Sequence, residues 1–597
     1  ATGSTLRTET RNEIYLELGA AQDLSFSLAA DTVVMEAFKV QDTRDLTFGG
    51  GQLGTTSNFN TEEIENTATV RRNVQDVARL DPRLALLSLD QGGQLSAQGQ
   101  NFRYNSFLID GVQANDSFGL NGNGFSSVRS PIPLEAMQAL NVELNPVDVR
   151  RAGFTGALLN AVTKSGGNKF HGGLYYEFTD QDYRREHPIT GVKDTFKEKT
   201  FGSWFSGPII PDRLFFFLSY EKFERTTLPP DQLFVPTAAD LTAITARAQA
   251  LNFAPGGFDP SSAVEQKSYL AKLDWNITPD HRLSFTYREN EGGDTQFSSF
   301  GNTTGTSFSS YWYDQFRITK SYTGQLFNTW TPNLRTEFSV SFTEYDGSPA
   351  SRSPSAFPEV IVNGVSGARR DNNTNITNGQ VRFGTEFSRQ LNEITTETET
   401  LAGSAEYSMG AHNLVAGFDW ENRKVLNKFV QAYIGQFTFA SVAAWQAGTP
   451  ATLLRTLLAP GATIDDAIAN FETGMLGLYV QDTWKPNDRL TLIGGLRYEQ
   501  MVLPDAPKAI PNAGTYSEAI FQQAFGLPST SNPDGNYIVA PRAGFTYQIP
   551  ASRKTQLRGS AGLFQGRNPL VWLSNAYSNR GVVARQTVAN ATFHSNP

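Results

Sequence analysis

From His171 onward the chain repeats with a period of two. Tyr269, Ala271, Leu273, Trp275 and Ile277 alternate with Leu270, Lys272, Asp274 and Asn276. Beyond a turn at Pro279-Asp280, Leu283, Phe285 and Tyr287 alternate with Arg282, Ser284, Thr286 and Arg288. Side chains of a strand point to opposite faces in turn, so each segment predicts a strand with one apolar and one polar face. The pattern recurs in Thr336, Phe338, Val340 and Phe342 against Glu337, Ser339, Ser341 and Thr343, and in Leu414, Ala416, Phe418 and Trp420 against Asn413, Gly417 and Asp419. These runs are about ten residues or longer, whereas strands of soluble sandwiches run about five or six and a tilted bilayer-spanning strand needs about nine to eleven. Length favours a membrane-spanning antiparallel sheet, with roughly fourteen such strands on this pattern.

The connections are sorted in the same sense. Ile277 to His281, Trp330 to Leu334 and Lys485 to Arg489 are short, while 227–263, 346–377, 425–472 and 503–536 are long, polar and without a clear period. Short turns on one rim and long loops on the other are the asymmetry of outer-membrane barrels. Trp275, Tyr311-Trp312-Tyr313, Trp330, Trp420, Trp484 and Tyr498 lie near strand ends, as residues of interfacial girdles do.

Upstream the pattern changes. Ile14, Leu16 and Leu18, then Leu24, Phe26 and Leu28, predict two strands over residues 1–30, too few to hold a core alone. Asp31 to Val40 (DTVVMEAFKV) is a short β-prone segment that by its residues alone reads as an ordinary strand or linker. Residues 45–165 form a compact α/β unit, with an amphipathic helix over Val74–Leu80 ending before Pro82 and strands around Phe107–Val112 and Ala139–Leu144.

Composition narrows the class. The 597 residues are 12% aromatic and 18% charged, with 52 Gly and no Cys. That mixture suits strands and turns rather than helices, and it leaves no thiolate metal site. Mean hydropathy is -0.35, and no apolar run approaches the ~18 residues of a spanning helix. A net charge of -9 makes nucleic acid an unfavourable partner. The five histidines, 171, 187, 281, 412 and 594, form no metal-ligand spacing. Gly49-Gly50-Gly51 and Gly122-Asn123-Gly124 lack the strand-then-helix setting of a phosphate cradle. Arg369 to Asn375 reads as a solvated loop lacking EF-hand spacing. No catalytic constellation, metal site or cofactor is expected.

Several blocks fall in one order: RYNSFLIDGV at 103–112, NDSFG at 115–119, PIPL at 131–134, GFTG at 153–156, TKSG at 163–166, LYVQDTWKP at 478–486, PRAGFTY at 541–547 and LRGSAGLFQGRNPLVWLSNAYSN at 557–579. In that order they resemble TonB-dependent outer-membrane receptors of the Oar-like (OmpA-related receptor) branch. The resemblance implies a mainly β fold, a transmembrane antiparallel β-barrel of about 22 strands in full, incomplete here, with an N-terminal α/β plug in its lumen. It divides the chain into 1–30, the tail of a carboxypeptidase-regulatory-like β-sandwich; 31–40, a TonB box; 41–166, the plug; and 167–597, part of the barrel. Such a box binds by adding a strand to its partner's sheet, and Val33, Val34, Met35, Glu36 and Ala37 stand at its place. The plug apex, with Asn115, Asp116, Phe118, Asn121, Asn123 and Phe125, is where the resemblance puts a ligand.

The implied function is uptake of an extracellular ligand, a peptide, glycan or chelate, driven by TonB of the TonB–ExbB–ExbD complex. The barrel would sit in outer-membrane lipid, with the plug and N-terminal segment facing the periplasm. An adhesin using the long loops is the alternative, and a passive porin conflicts with so long a plug. The chain opens at Ala1 with no secretory signal and closes after HSNP at 594–597, so it is expected to be a fragment.

Overall fold

A computed structural model describes residues 55–595, apart from 70–71, 89–92, 187–194, 228–233, 259–261, 298–303, 370–372, 450, 511–516 and 551–554. The two N-terminal strands, the segment 31–40 and Gly49-Gly50-Gly51 lie outside the described residues.

Thirteen long strands follow one another in chain order, each antiparallel to the next. They are β1 (His171–Asp180), β2 (Phe196–Ile210), β3 (Leu214–Thr227), β4 (Ser262–Thr278), β5 (His281–Gln296), β6 (Tyr313–Thr331) and β7 (Leu334–Asp346). The sheet continues through β8 (Asn392–Met409), β9 (His412–Phe429), β10 (Ala469–Asn487), β11 (Leu490–Val502), β12 (Tyr537–Ile549) and β13 (Thr555–Gly562). Pro349–Ser351 adds a fourteenth strand beside β6. Among the described residues β1 and β13 are the two edges and no ladder joins them.

The faces of this sheet are inverted relative to a soluble protein. Leu273, Trp275, Phe285, Val340 and Val480 are each more than 40% exposed, whereas Lys272, Asp274, Ser284, Thr286 and Arg288 on the alternate positions are buried. Apolar side chains facing outward and polar ones facing a filled interior suit a barrel whose solvent is lipid. Leu270 breaks the pattern for a reason: it faces inward and joins Phe217 in the core of the small N-terminal domain.

That domain is a five-stranded sheet. Met137–Leu144 pairs with Thr55–Asn60 on one side and Ala157–Thr163 on the other, and Ala157–Thr163 runs parallel to Ser106–Ile109, which forms a hairpin with Val112–Gln113. The hairpin turns at Asp110 (φ 49°) and Gly111 (φ 83°), both in the left-handed region that a two-residue turn of this kind requires. The helix near residue 74 is Val74–Ala78, and all five of its residues are buried. It therefore has no solvent face: Val74, Val77 and Ala78 enter the domain's core, and Gln75 Nε2 donates to Gly93 O and Asn123 O of the same domain.

Three of the long connections, 227–263, 346–377 and 425–472, are not irregular, for each contributes to a further sheet. Phe234–Pro236, Gly305–Ser307, Glu359–Arg369, Asn375–Phe383, Gln436–Phe439, Ala451–Leu458 and Val582–Ala591 assemble into a separate seven-stranded mixed sheet on the long-loop rim. Helices Ala238–Ala250 and Val442–Ala447 close over it, with Trp445 Nε1 donating to Ile244 O at 3.1 Å. Phe234, Phe253, Phe357, Phe383, Phe437, Phe439 and Trp445 fill its core. This cap also corrects the girdle reading at one place: Tyr311 and Trp312 are buried at the cap's base. Trp275, Trp330 and Trp484 do face outward beside the short turns.

Candidate functional site

The N-terminal domain sits against the polar face of the large sheet, and the contacts show how it is held. Asp110 is the hub. Its carboxylate accepts from Thr163 N at 2.8 Å and Thr163 Oγ1 at 2.6 Å, so the IDG and TKSG blocks meet in space. Lys272 of β4 reaches Thr163 Oγ1 at 2.9 Å and Asp110 Oδ2 at 3.5 Å, and Gln325 of β6 donates to Asp110 O at 3.0 Å. Higher on the same flank Gln266 accepts from Arg129 N at 2.7 Å and donates to Ser130 O, and Asn290 donates to Pro131 O.

The opposite flank holds residues 147–151. Gln481 of β10 accepts from Val149 N at 3.0 Å, and Arg542 of β12 donates to Asp148 O and Arg151 O, both at 2.7 Å. Arg497 of β11, 1% exposed, donates to Val149 O and is itself held by Asp419 and Glu499. Each of these wall side chains meets a backbone group of the small domain, so the grip depends on the loop's shape more than on its side chains. Arg150 and Arg151 pair with Asp148 at 2.6 Å and Glu143 at 3.4 Å.

Between the flanks, facing β7–β9, lies a polar cavity of about 480 Å³. Arg150, Arg151, Lys272 and Arg282 bring positive charge to it, and Asp110, Glu337, Asp419 and Glu421 negative charge. Two smaller cavities of about 30 Å³ each continue it upward along Gln113, Asn115 and Ser117.

The apical residues singled out in the sequence mostly hold their own loop. Asn115 accepts from Phe107 N at 2.6 Å and donates to Asn105 O, and Asn123 accepts from Phe125 N and donates to Ser127 O and Val128 O. Asp116 accepts from Phe118 N and Asn121 N, and burial pushes its carboxyl above the usual range against those bonds. Phe125 packs edge-on against Phe107 at 4.9 Å, and Phe118 is buried with Phe471 and Leu570. Asn121 reaches the wall: Arg317 Nε donates to its Oδ1 at 2.8 Å. The five residues at 33–37 lie outside the described residues.

Sequence reasoning missed Arg497 and Arg542, and the signal was available. A charge on the inward phase of a strand otherwise read as membrane-spanning requires a partner in the lumen. Among the described residues no three His, Asp or Glu converge as metal ligands do. His281 bonds Asn328 and stacks edge-on to Trp330, and His412 pairs with Asp482 beside Trp484.

An inward-polar, outward-apolar sheet with a domain hydrogen-bonded into its interior defines a transmembrane barrel built around a plug. The sequence matches the outer membrane beta barrel domain over residues 162–262 and 246–597, and the chain belongs to that family. It is an outer-membrane protein. It is 30% identical over 209 residues to the TonB-dependent transporter Oar of Myxococcus xanthus, a stretch covering 32% of this chain and 19% of that protein. The structure resembles the outer membrane transporter YddB from Escherichia coli, with TM-score 0.61 and 13% identity over 89% of this chain and 63% of that one. It also resembles a mutant ferric enterobactin receptor, PfeA, from Pseudomonas aeruginosa in complex with enterobactin, with TM-score 0.54 and 14% identity over 88% of this chain and 64% of that one. At such identities the two structures speak for the fold alone. The chain spans about a fifth of the Oar transporter's length and less than two thirds of either solved structure.

Proposed function

We propose that the protein is a TonB-dependent outer-membrane receptor that binds an extracellular ligand and moves it inward, and that it catalyses no reaction. The observation that carries this reading is the plug: a folded domain fills the interior, yet polar side chains hold it and polar space separates it from part of the wall. A plug fixed by an apolar core could not be remodelled at modest cost, whereas polar contacts can exchange with water. The resemblance supplies the driver, TonB of the TonB–ExbB–ExbD complex, acting on a box at 31–40 ahead of a plug at 41–166 and a barrel from 167 onward. Of the polar apical residues, Asn121 accepts a hydrogen bond from the wall side chain Arg317, beside the exposed Leu120, so ligand contact is assigned to this tip. Asn115, Asp116 and Asn123 shape the loop that presents it. The ligand's class, peptide, glycan or metal chelate, is left to experiment.

A second reading, an adhesin, draws on the folded cap, because seven strands and two helices make a rigid outward surface. Growth on candidate nutrients separates the two. Transport requires both the receptor and residues 31–40, whereas adhesion to a surface persists when residues 31–40 are deleted.

A further inference from the structure

The plug is gripped on both flanks by wall side chains that bond its backbone. Facing β7–β9 the hydrogen bonds between plug and wall run from side chain to side chain: Arg423 to Gln113 at 2.7 Å and Asn121 to Tyr345 at 3.5 Å. The wall in this sector carries small side chains, the hydroxyls of Ser339, Ser341, Thr398 and Thr400 and the methyl of Ala402. The large cavity narrows upward into two spaces of about 30 Å³, each room for a water or two, which share Gln113 with it.

One segment crosses this neck from outside. After β13 ends at Gly562 the chain turns inward: Gly566 bridges Gly153, and Pro569 lies so close on Gly119 that a Cβ there would stand 2.7 Å from its ring. Leu570 N and Val571 N donate to Ser117 O and Phe118 O, both at 3.1 Å. Arg567 lies across Gly153, where an added Cβ would stand 2.5 Å from its Nε, and ion-pairs with Glu421 of β9. Glu421 also holds Arg423 at 2.8 Å. The segment then continues through the helix Leu570–Tyr577 into Val582–Ala591, a strand of the cap.

We propose that a hydrophilic passage runs between the plug and the β7–β9 wall, and that residues 563–571 are its gate, shut by the Arg567–Glu421 pair. This rests on the transporter reading and adds the route to it. Hydroxyls at the neck and charges of both signs in the chamber fit a small hydrophilic solute that both donates and accepts hydrogen bonds. Because the gate continues into the cap, a shift of the cap reaches the neck through the helix Leu570–Tyr577 and residues 578–581.

The test is ionic conductance of the purified full-length receptor in a planar bilayer, where no TonB is present. The outcome therefore stands apart from the success or failure of the transport reading. Arg567→Gln, and independently Glu421→Gln from the wall side, should raise conductance at least tenfold over the unsubstituted receptor. Retained heat-modifiable migration reports that each variant is folded. The chain has no cysteine, so single thiols can be placed cleanly in it. In the Arg567→Gln background, a charged thiosulfonate should block the current through Ala402→Cys or Ser339→Cys and spare Ser268→Cys, which lies on the gripped flank beside Asn290. Folded variants that do not conduct, or a block as strong at Ser268→Cys as at Ala402→Cys, would overturn the proposal.

Discussion

Asp110→Asn tests how the plug is fastened. Asparagine tolerates the left-handed turn at φ 49° and can still accept from Thr163 N, so the change isolates the charge. What is lost is the carboxylate facing Lys272, in a pair whose side chains are 9% and 8% exposed. A hydrogen bond to a charged group contributes about 1.5–3 kcal/mol, and stripping one partner from a buried pair costs about 3–5 kcal/mol. Part of the grip survives through Gln325 and residues 147–151, so a net cost of about 3 kcal/mol to plug docking is expected. The assay is urea-driven release of the plug, followed by protease access to residues 100–165 in a barrel that stays folded. With a slope of about 2 kcal/mol per M, the midpoint should fall by roughly 1.5 M. Lys272→Met should cost a similar amount, and the double variant should recover about 2 kcal/mol of the summed loss, because neither charge is then left alone. Midpoints within about 0.3 M of the parent, or strictly additive variants, would refute the assignment of Asp110 as hub.

Other expectations follow from the same geometry. Burial and the neighbouring Glu359 raise the Glu386 carboxyl to about 7, against the pull of Arg389 and Arg382. A carboxyl raised on folding favours the folded form while protonated. The cap should therefore lose stability as pH rises from about 4.5 to 7, by at most about 3 kcal/mol, and Glu386→Gln should flatten that slope in amide-exchange measurements. Trp445→Ala, at 0% exposure among Phe383, Phe439 and Phe593, should cost the cap about 3–5 kcal/mol while β1–β13 keep their heat-modifiable migration. Val480→Arg, on the outward face of β10, should cost about 2–4 kcal/mol of barrel stability in lipid, whereas an arginine at an exposed cap position such as Val235 should change it little.

The sequence made the barrel legible because long alternating strands repeat one signal over many residues. The blocks at 109–111 and 163–166 carried the family resemblance in the sequence, and the structure adds what they do, since Asp110 and Thr163 bond each other directly. The cap was hidden for the opposite reason. Its strands Phe234–Pro236, Gly305–Ser307 and Gln436–Phe439 are three or four residues long, too short for a period to show. Its pairings also join distant segments, as when Ala451–Leu458 meets Val582–Ala591. The apical asparagines misdirect for a local reason: side chains suited to grasp a ligand are equally suited to bond their own backbone, as Asn115 and Asn123 do.

The central claim is that TonB pulls on this receptor. The most direct measurement is binding of the periplasmic domain of TonB to a peptide spanning residues 29–42, beside the same peptide with Val34→Pro, which removes a ladder hydrogen bond. Saturable binding that the proline abolishes is the expected result. Absence of binding to either peptide, with the full-length protein verified in the outer membrane, would contradict an energised transporter and leave the adhesin.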